Sequence, residues 1–350
     1  MKSLKQKFIL PNISIITEGG NLIGNGHISR CSALQQAFCK QGIKANLYID
    51  FDDEISINLK STRSKKFVSW LKNRSILNQI IKTNDILIID SYKANKSVYD
   101  LIAKNVFLPV YVDDYYRILY PRGVIINTSQ NQNDVKKIQK LYTNNTCLVG
   151  LKYSSLRPAF WKNKLKKIKD KIKNILIIYN GDDIQFVLPS IISALQNIDS
   201  KLKIKVILST KQKSDLKNLN NSIFNQVKIL TDCSSTKMKH EMQNADLAIS
   251  SGGQILLELC AVGVASIVII SAENQRKNCQ FWHNKKIIEF INTKDKKQNL
   301  ISNIEKKFKN LISKEIRIKK SLLAQKYING KGAINTAEEL LKIYENSDTI

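Results

Sequence analysis

Two kinds of hydrophobic pattern alternate along the first half of the chain. Short apolar runs bounded by polar residues are typical of strands that are buried on both faces of a parallel sheet. Between them, apolar residues recur at the spacing of a helix. We predict strands at 8–17, 45–49, 86–90, 106–112 and 124–126, and helices at 28–39, 65–82 and 97–104.

The second half of the chain repeats the same alternation. Here we predict strands at 175–179, 204–208, 227–230, 247–250 and 266–270, and helices at 186–196, 237–243, 255–262 and 274–281. Strands that alternate with helices in this way predict a doubly wound parallel sheet in each half.

The two halves meet at 153–162, where Pro158 and a change of pattern mark a linker. A last amphipathic helix is predicted at 333–344. With 350 residues the chain can bury two cores. We therefore predict an α/β protein of two Rossmann-like domains whose parallel sheets face a central cleft. The predicted domains are residues 1–155 and 156–330, followed by a C-terminal helix and tail at 331–350.

The chain has a formal charge of +27, which favours an anionic partner such as nucleic acid, a membrane surface or a phosphorylated substrate. Only 8 of the 56 Lys and Arg residues are arginines, whereas nucleic-acid sites usually draw on arginine and aromatic groups as well. The lysines are scattered through helices and loops. We interpret the charge mainly as a drift of the amino-acid composition toward lysine, with a modest bias toward anionic ligands or membranes.

Targeting and metal-binding patterns are missing from the sequence. No uncharged apolar run reaches the length of a membrane span, and the basic N-terminus has no signal-peptide cleavage pattern, so we expect a cytoplasmic protein. None of the 6 cysteines forms a Cys-x-x-Cys pair or pairs with a histidine at metal-ligand spacing. We expect reduced thiols, no metal and no cofactor.

The most informative segment is 24–31, Gly-Asn-Gly-His-Ile-Ser-Arg-Cys, between a predicted strand and a predicted helix. Backbone N–H groups at a helix N-terminus favour phosphate or developing negative charge. The segment contains His27, and histidine suits proton transfer near neutral pH. By position alone, a packed or capping histidine is the commoner role. The glycines also fit part of a dinucleotide fingerprint, but Ser29 occupies the third glycine position, so NAD binding is a minor alternative.

Two acidic motifs close predicted strands. Asp90 ends one strand, and Asp113 and Asp114 end another. Each could take part in chemistry or simply cap a helix or face water in a loop. Because neighbouring residues of a strand point to opposite faces, the aspartate pair need not converge.

A second glycine turn, at 250–253, leads into the helix that carries Glu258. A carboxylate at that place could accept both hydroxyls of a ribose, and a solvated charge on the helix face is the alternative. Asn274 and Gln275 follow the next strand and suit hydrogen bonds to sugar hydroxyls or amides. Capping of a helix by Asn274 is the alternative there.

Taken together, these segments resemble the UDP-sugar hydrolase family of pseudaminic acid biosynthesis. The ordered set is far more specific than any single motif, and the similarity covers about residues 8–290. In chain order the shared segments are 24–31, Asp-Ser-Tyr at 90–92, Val-Asp-Asp at 112–114, the interdomain segment 150–160, Gly252-Gly253 with Glu258, and Ala-Glu-Asn-Gln at 272–275.

The resemblance implies a GT-B architecture, similar to the transferase that adds N-acetylglucosamine to lipid I. Family members cleave UDP from a diacetamido-trideoxy-altrose sugar by attack of water. The chain departs from the family pattern ahead of the first glycine turn, where Ile16, Glu18 and Gly20 replace Arg-x-Asp-x-Ser. The resemblance implies catalysis by His27 and substrate binding by Gly26, Arg30, Tyr92, Lys152, Gly252, Gly253, Glu258, Asn274 and Gln275.

From the sequence we therefore expect a metal-independent, inverting hydrolase that releases UDP and free sugar from a UDP-linked amino sugar for nonulosonic acid biosynthesis. One alternative is a UDP-sugar glycosyltransferase of the GT-B type. Another, motivated by the charge, is a non-catalytic polyanion-binding protein. We expect a monomer without a nucleic-acid partner, and leave a weak peripheral membrane contact open.

Overall fold

The computed structural model describes residues 10–20, 26–51, 64–114, 116–129, 132–181, 183–216, 227–292 and 299–347. Residues 24 and 25 of the predicted glycine turn lie outside these ranges. The chain forms two compact units: the first contains residues 1–158 and 331–350, and the second contains residues 159–330. The division after Pro158 falls within the predicted linker.

The first unit is built on a seven-stranded, fully parallel sheet in the order β3-β2-β1-β4-β5-β6-β7. The central strands are buried along their length, as the continuous apolar runs predict. The strands are β1 (Ile13–Gly19), β2 (Ala45–Phe51), β3 (Lys65–Phe67), β4 (Ile86–Asp90), β5 (Leu108–Val112), β6 (Val124–Asn127) and β7 (Thr146–Val149). The helices are α1 (Gly26–Lys40), α2 (Arg74–Lys82), α3 (Lys96–Asn105) and α4 (Gln132–Leu141).

The predicted helix at 65–82 is wrong in its first part. Residues Lys65–Phe67 form an edge strand whose register pairs Leu47 of β2 with Lys65. The strand is too short to show an alternating pattern, so only pairing with β2 defines it. The helix begins later because the side chain of Asn73 accepts a hydrogen bond from the Ile76 amide and caps it.

The second unit has a six-stranded parallel sheet in the order β10-β9-β8-β11-β12-β13. Its strands are β8 (Asn174–Ile178), β9 (Lys203–Leu208), β10 (Val227–Thr231), β11 (Leu247–Ser251), β12 (Ser266–Ile270) and β13 (Glu289–Asn292). Its helices are α5 (Ile184–Ile198), α6 (Thr210–Asp215), α7 (Ser235–Asn244), α8 (Gln254–Val262), α9 (Arg276–Asn284), α10 (Leu300–Lys309) and α11 (Lys314–Tyr327).

The last helix, α12 (Gly332–Ser347), packs against α1 and belongs to the first unit. It buries one apolar side, including Ala337 and Leu340. None of the helices in the described ranges is both long enough and apolar enough to cross a membrane.

Candidate functional site

Both candidate sites lie where the strand order of a sheet reverses. In the first sheet, the strands that follow β1 are added on one side of it, until β4 returns to its other side and the later strands continue in that direction. In the second sheet, the same reversal lies between β8 and β11. Open α/β sheets bind ligands beyond the carboxyl ends of their strands at such a point. His27 lies in the first turn of α1, Asp90 is the last residue of β4, and Gly252 follows β11.

His27, Arg30 and Asp90 form a tight polar contact in the first unit. His27 Nδ1 lies 2.7 Å from Asp90 Oδ1. Arg30 binds the same carboxylate with two N–H groups, Nε to Oδ2 at 2.5 Å and Nη2 to Oδ1 at 2.6 Å. Asp90 is fully buried and His27 nearly so. Capping by Asp90, considered from sequence, is wrong, since Asn95 caps the following helix α3.

The ionisation of this contact fixes the tautomer of the histidine. Burial by itself would raise the pKa of the Asp90 carboxyl, but Arg30 and His27 outweigh it and hold that pKa well below its ordinary value. Burial also works against the charge on Arg30, yet Asp114 and Asp90 raise its pKa well above the ordinary value. An ionised carboxylate only accepts hydrogen bonds, so His27 Nδ1 must carry the donated proton. In the neutral form of the ring, the lone pair is then on Nε2.

Arg30 also joins this contact to Asp114 and Tyr92. Its Nη1 donates to Asp114 Oδ2 at 2.5 Å, and the Tyr92 hydroxyl donates to the same oxygen at 3.2 Å. The ring of Tyr92 packs edge-on against His27, with 4.4 Å between centroids. We call these five residues, His27, Arg30, Asp90, Tyr92 and Asp114, the histidine cluster. Three of them were predicted site residues, and Asp90 and Asp114 were weighed in the sequence without a role.

A buried glutamate holds the loop that carries Tyr92. Glu18, at the end of β1, accepts hydrogen bonds from the Ser91 hydroxyl at 2.5 Å, the Tyr92 amide at 2.7 Å and the Lys93 amide at 3.2 Å. Glu18 has no exposed surface. This carboxylate fixes the backbone on which Tyr92 approaches His27, and sequence reasoning missed it because it appeared there only as a departure from the family pattern.

The two adjacent aspartates separate, as strand geometry allows. Asp114 joins the histidine cluster, whereas the buried Asp113 accepts hydrogen bonds from the Tyr116 amide at 3.1 Å and the Tyr142 hydroxyl at 3.2 Å. Asp113 therefore organises a loop of its own. The pair does not form a joint acidic site.

The glycine turn of the second unit is held by Gln275. The Oε1 atom of Gln275 accepts from the Gly252 amide at 2.9 Å and from the Ser271 amide at 3.2 Å. A Cβ added at Gly252 would lie 2.4 Å from Cys279 Sγ, while one at Gly253 would meet no atom of the described residues closer than 4.0 Å. Gln275 is thus engaged with the turn, and the space beside Gly253 is open at the N-terminus of α8.

The remaining predicted residues are placed as follows. Glu258 on α8 has no exposed surface, so a solvated charge on the helix face is wrong for this residue. A ribose could contact its carboxylate only if Glu258 or the residues that cover it move. Asn274 lies within a 3₁₀ turn, Glu273–Gln275, ahead of α9, whose N-cap position is Gln275. Lys152 is exposed beyond β7, and among the described residues its ammonium contacts the Tyr153 ring rather than the histidine cluster.

Within the described ranges, no group of three or more His, Cys, Asp or Glu side chains is arranged to hold a metal ion. Cys31, which donates to Asp90 Oδ2 at 3.3 Å, is kept as a thiol because burial raises its pKa well above the ordinary value. The histidine cluster can supply proton transfer and charge stabilisation at this site.

Comparisons with known proteins agree with this architecture. Residues 182–330 match the glycosyltransferase family 28 C-terminal domain. An uncharacterized protein of Methanocaldococcus jannaschii is 27% identical over 279 residues, which cover 76% of this chain and 57% of that protein. A Helicobacter pylori protein named pseudaminic acid cytidylyltransferase and UDP-2,4-diacetamido-2,4,6-trideoxy-beta-L-altropyranose hydrolase is 23% identical over 255 residues, covering 72% of this chain and 43% of that protein. The chain spans about half the length of the curated relatives it matches.

Solved structures show the same two-unit α/β organisation. Phytolacca americana UGT2, complexed with UDP-2fluoro-glucose and pterostilbene, superimposes with a TM-score of 0.68 at 10% identity, covering 95% of this chain and 100% of that one. Likeness at this level of identity establishes the fold. The chain therefore has a GT-B-like α/β fold, and residues 182–330 match the C-terminal domain of glycosyltransferase family 28.

Proposed function

We propose that this protein hydrolyses a UDP-linked diacetamido-trideoxy-hexose at the anomeric C–O bond and releases UDP and the free sugar. The ordered motifs of the sequence and the name of the Helicobacter pylori relative both support this reaction. The GT-B-like fold supports a nucleotide-sugar substrate.

The observation that carries the proposal is the contact between His27 and Asp90. Asp90 accepts a hydrogen bond from Nδ1–H of His27 and so leaves Nε2 as the basic atom of the ring. A base held in one orientation can remove a proton from water as the water attacks the anomeric carbon. A well-placed general base typically contributes about a hundred- to ten-thousand-fold to the rate.

The other members of the histidine cluster act through position and charge. Arg30 keeps Asp90 ionised and so preserves the tautomer of His27. Tyr92 packs against the histidine ring and limits its rotation. Direct displacement by water needs no covalent sugar intermediate, so the anomeric centre is inverted.

In this proposal the second unit binds UDP. The N-terminus of α8 beside Gly253 stabilises the negative charge of the leaving diphosphate. Gln275 keeps the glycine turn in shape, and Glu258 accepts the ribose hydroxyls after rotating outward. Lys152 and Asn274 are assigned to the sugar and phosphates.

A UDP-sugar glycosyltransferase is the second candidate, because residues 182–330 match a glycosyltransferase domain. It would use the same nucleotide site with an acceptor hydroxyl in place of water. The two reactions differ in the fate of the sugar. A hydrolase releases UDP at full rate without an acceptor, whereas a transferase needs one.

The test measures UDP release from candidate UDP-sugars in water enriched in heavy oxygen, with and without added acceptor. We expect acceptor-independent release, with the label in the sugar and none in UDP. His27→Ala should lower the rate about a hundred- to ten-thousand-fold, while the exposed histidine variant His240→Ala should match wild type. Label in UDP would mean attack at phosphorus and would exclude the proposed reaction.

The nucleotide site has a separate test that does not depend on turnover. Glu258→Ala should weaken UDP binding by about 1.5–3 kcal/mol, the size of a hydrogen bond to a charged group. Isothermal titration with UDP measures this directly. An unchanged affinity in a folded variant would remove Glu258 from the ribose site.

A further inference from the structure

Helix α11 in the second unit buries a mainly polar side and exposes several large apolar side chains. Its buried residues are Arg317, Lys320, Ser321 and Ala324, at the i, i+3, i+4, i+7 spacing of one helix face. Large apolar side chains are exposed on its remaining surface. They are Ile316, Ile318, Leu322 and Tyr327, and Ile312 just before the helix adds to them.

Polar contacts fix the helix in this orientation. Lys320 donates to Glu289 Oε1 at 3.0 Å and to the Lys286 carbonyl at 3.1 Å. Arg317 donates to the Asp170 carbonyl at 2.8 Å. Rotation of the helix to bury its exposed apolar residues would break these buried contacts. The exposure of Ile312 (56%), Leu322 (50%) and Ile316 (42%) is thus a property of the fold.

Lysines accompany the exposed apolar side chains. Lys319 and Lys326 are exposed on α11. On the preceding helix α10, Lys306 and Lys309 are exposed as well. Helix α11 carries one acidic residue, the exposed Glu315, and Lys314 at its start pairs with the exposed Asp170. We call the exposed set Ile312, Ile316, Ile318, Lys319, Leu322, Lys326 and Tyr327 the basic apolar face.

We propose that the basic apolar face docks the protein on an anionic phospholipid bilayer. Apolar side chains enter the boundary of the acyl chains, while lysine stems lie along it and place their ammonium groups among the phosphates. A second copy of this chain fits the face less well, because equal positive charges would be brought together. The proposal is independent of the reaction assigned to the histidine cluster.

The test is co-sedimentation of the chain with vesicles of phosphatidylglycerol and phosphatidylethanolamine, compared with phosphatidylcholine vesicles, at physiological salt. We expect binding to the anionic vesicles only. Each lysine near an anionic surface is worth about 1 kcal/mol, so Lys319→Gln with Lys326→Gln should weaken binding roughly twenty-fold or more. The matched pair Lys211→Gln with Lys213→Gln, exposed on α6, should bind as wild type does.

A second variant tests the apolar part of the face. Ile316→Ser with Leu322→Ser should also lose anionic-vesicle binding, whereas the exposed control Leu165→Ser should retain it. Equal losses in the test and control lysine pairs would mean diffuse attraction by net charge, and would overturn the proposal. No binding to anionic vesicles, or a dimer in sedimentation that the two serines dissociate, would overturn it as well.

Discussion

Replacing Asp90 with asparagine tests the central contact of the first unit. The side chain keeps its shape but loses its charge. Asp90 accepts three N–H groups, one from His27 at 2.7 Å and two from Arg30 at 2.5 and 2.6 Å. The asparagine side chain offers one oxygen that accepts hydrogen bonds and one NH2 group that only donates them. In Asp90→Asn at least one of these contacts therefore brings two donors together.

The size of the effect follows from the burial of the site. Removal of one partner from a buried ion pair costs about 3–5 kcal/mol. Arg30 retains its second carboxylate, Asp114, at 2.5 Å, so we expect a loss near the lower end, about 3 kcal/mol. The asparagine amide can also donate to Nδ1 of the histidine. The proton then moves to Nε2, and UDP release should fall about a hundred- to ten-thousand-fold.

Three measurements check this expectation: urea unfolding, UDP release, and the tautomer of the His27 ring by nitrogen NMR. Asp100→Asn is the matched control, because Asp100 forms an exposed pair with Lys96 on α3. Such surface pairs contribute about 0–1 kcal/mol. The reasoning is refuted if the unfolding midpoint and UDP release of Asp90→Asn both match those of Asp100→Asn.

Three further predictions concern pH, the loop support and the two glycines. Because the folded pKa of Asp90 lies below its unfolded value of about 4, stability should fall as pH drops from about 5 toward 3. The fall should be shallower in Asp90→Asn. If the free energy of unfolding from urea titrations falls equally with pH in both proteins, the prediction is wrong. Glu18→Gln should lose about 1–3 kcal/mol in urea unfolding, because the amide nitrogen cannot accept a hydrogen bond, and an unchanged midpoint would argue against its support of the loop. Gly252→Ala should destabilise the chain by about 1–3 kcal/mol through its clash with Cys279. The stability of Gly26→Ala should lie within about 0.5 kcal/mol of wild type, because an added Cβ there meets no described atom within 4 Å. Equal melting temperatures for Gly252→Ala and Gly26→Ala would contradict this difference.

Much of the fold could be predicted from sequence because both sheets are parallel and buried. Continuous apolar runs identified strands such as Ile86–Asp90 and Ser266–Ile270 with the bounds that the structure gives them. Short or polar edge elements were missed, including Lys65–Phe67 and Thr146–Val149. These elements are defined by pairing with a neighbouring strand, and no local sequence pattern predicts that pairing.

The sequence indicated the kind of chemistry at the site but not the carboxylates that bind His27 and Arg30. The glycine turn singled out His27 and Arg30, yet the carboxylates that bind them come from the ends of other strands. The strand order could have indicated Asp90, because it ends the strand beside β1. The engagement of Gln275 with Gly252 could not be foreseen, since the spacing between a turn and a later 3₁₀ helix depends on tertiary packing.

The return of α12 to the first unit has a consequence for how the protein is made. The second unit is one continuous stretch, residues 159–330, whereas the first also needs residues 331–347 to cover α1. During synthesis the second unit can therefore complete its core while the first still lacks a helix, although the first began to emerge earlier. A chain stopped before residue 331 would leave the apolar surface of α1 open to chaperones or to another nascent chain.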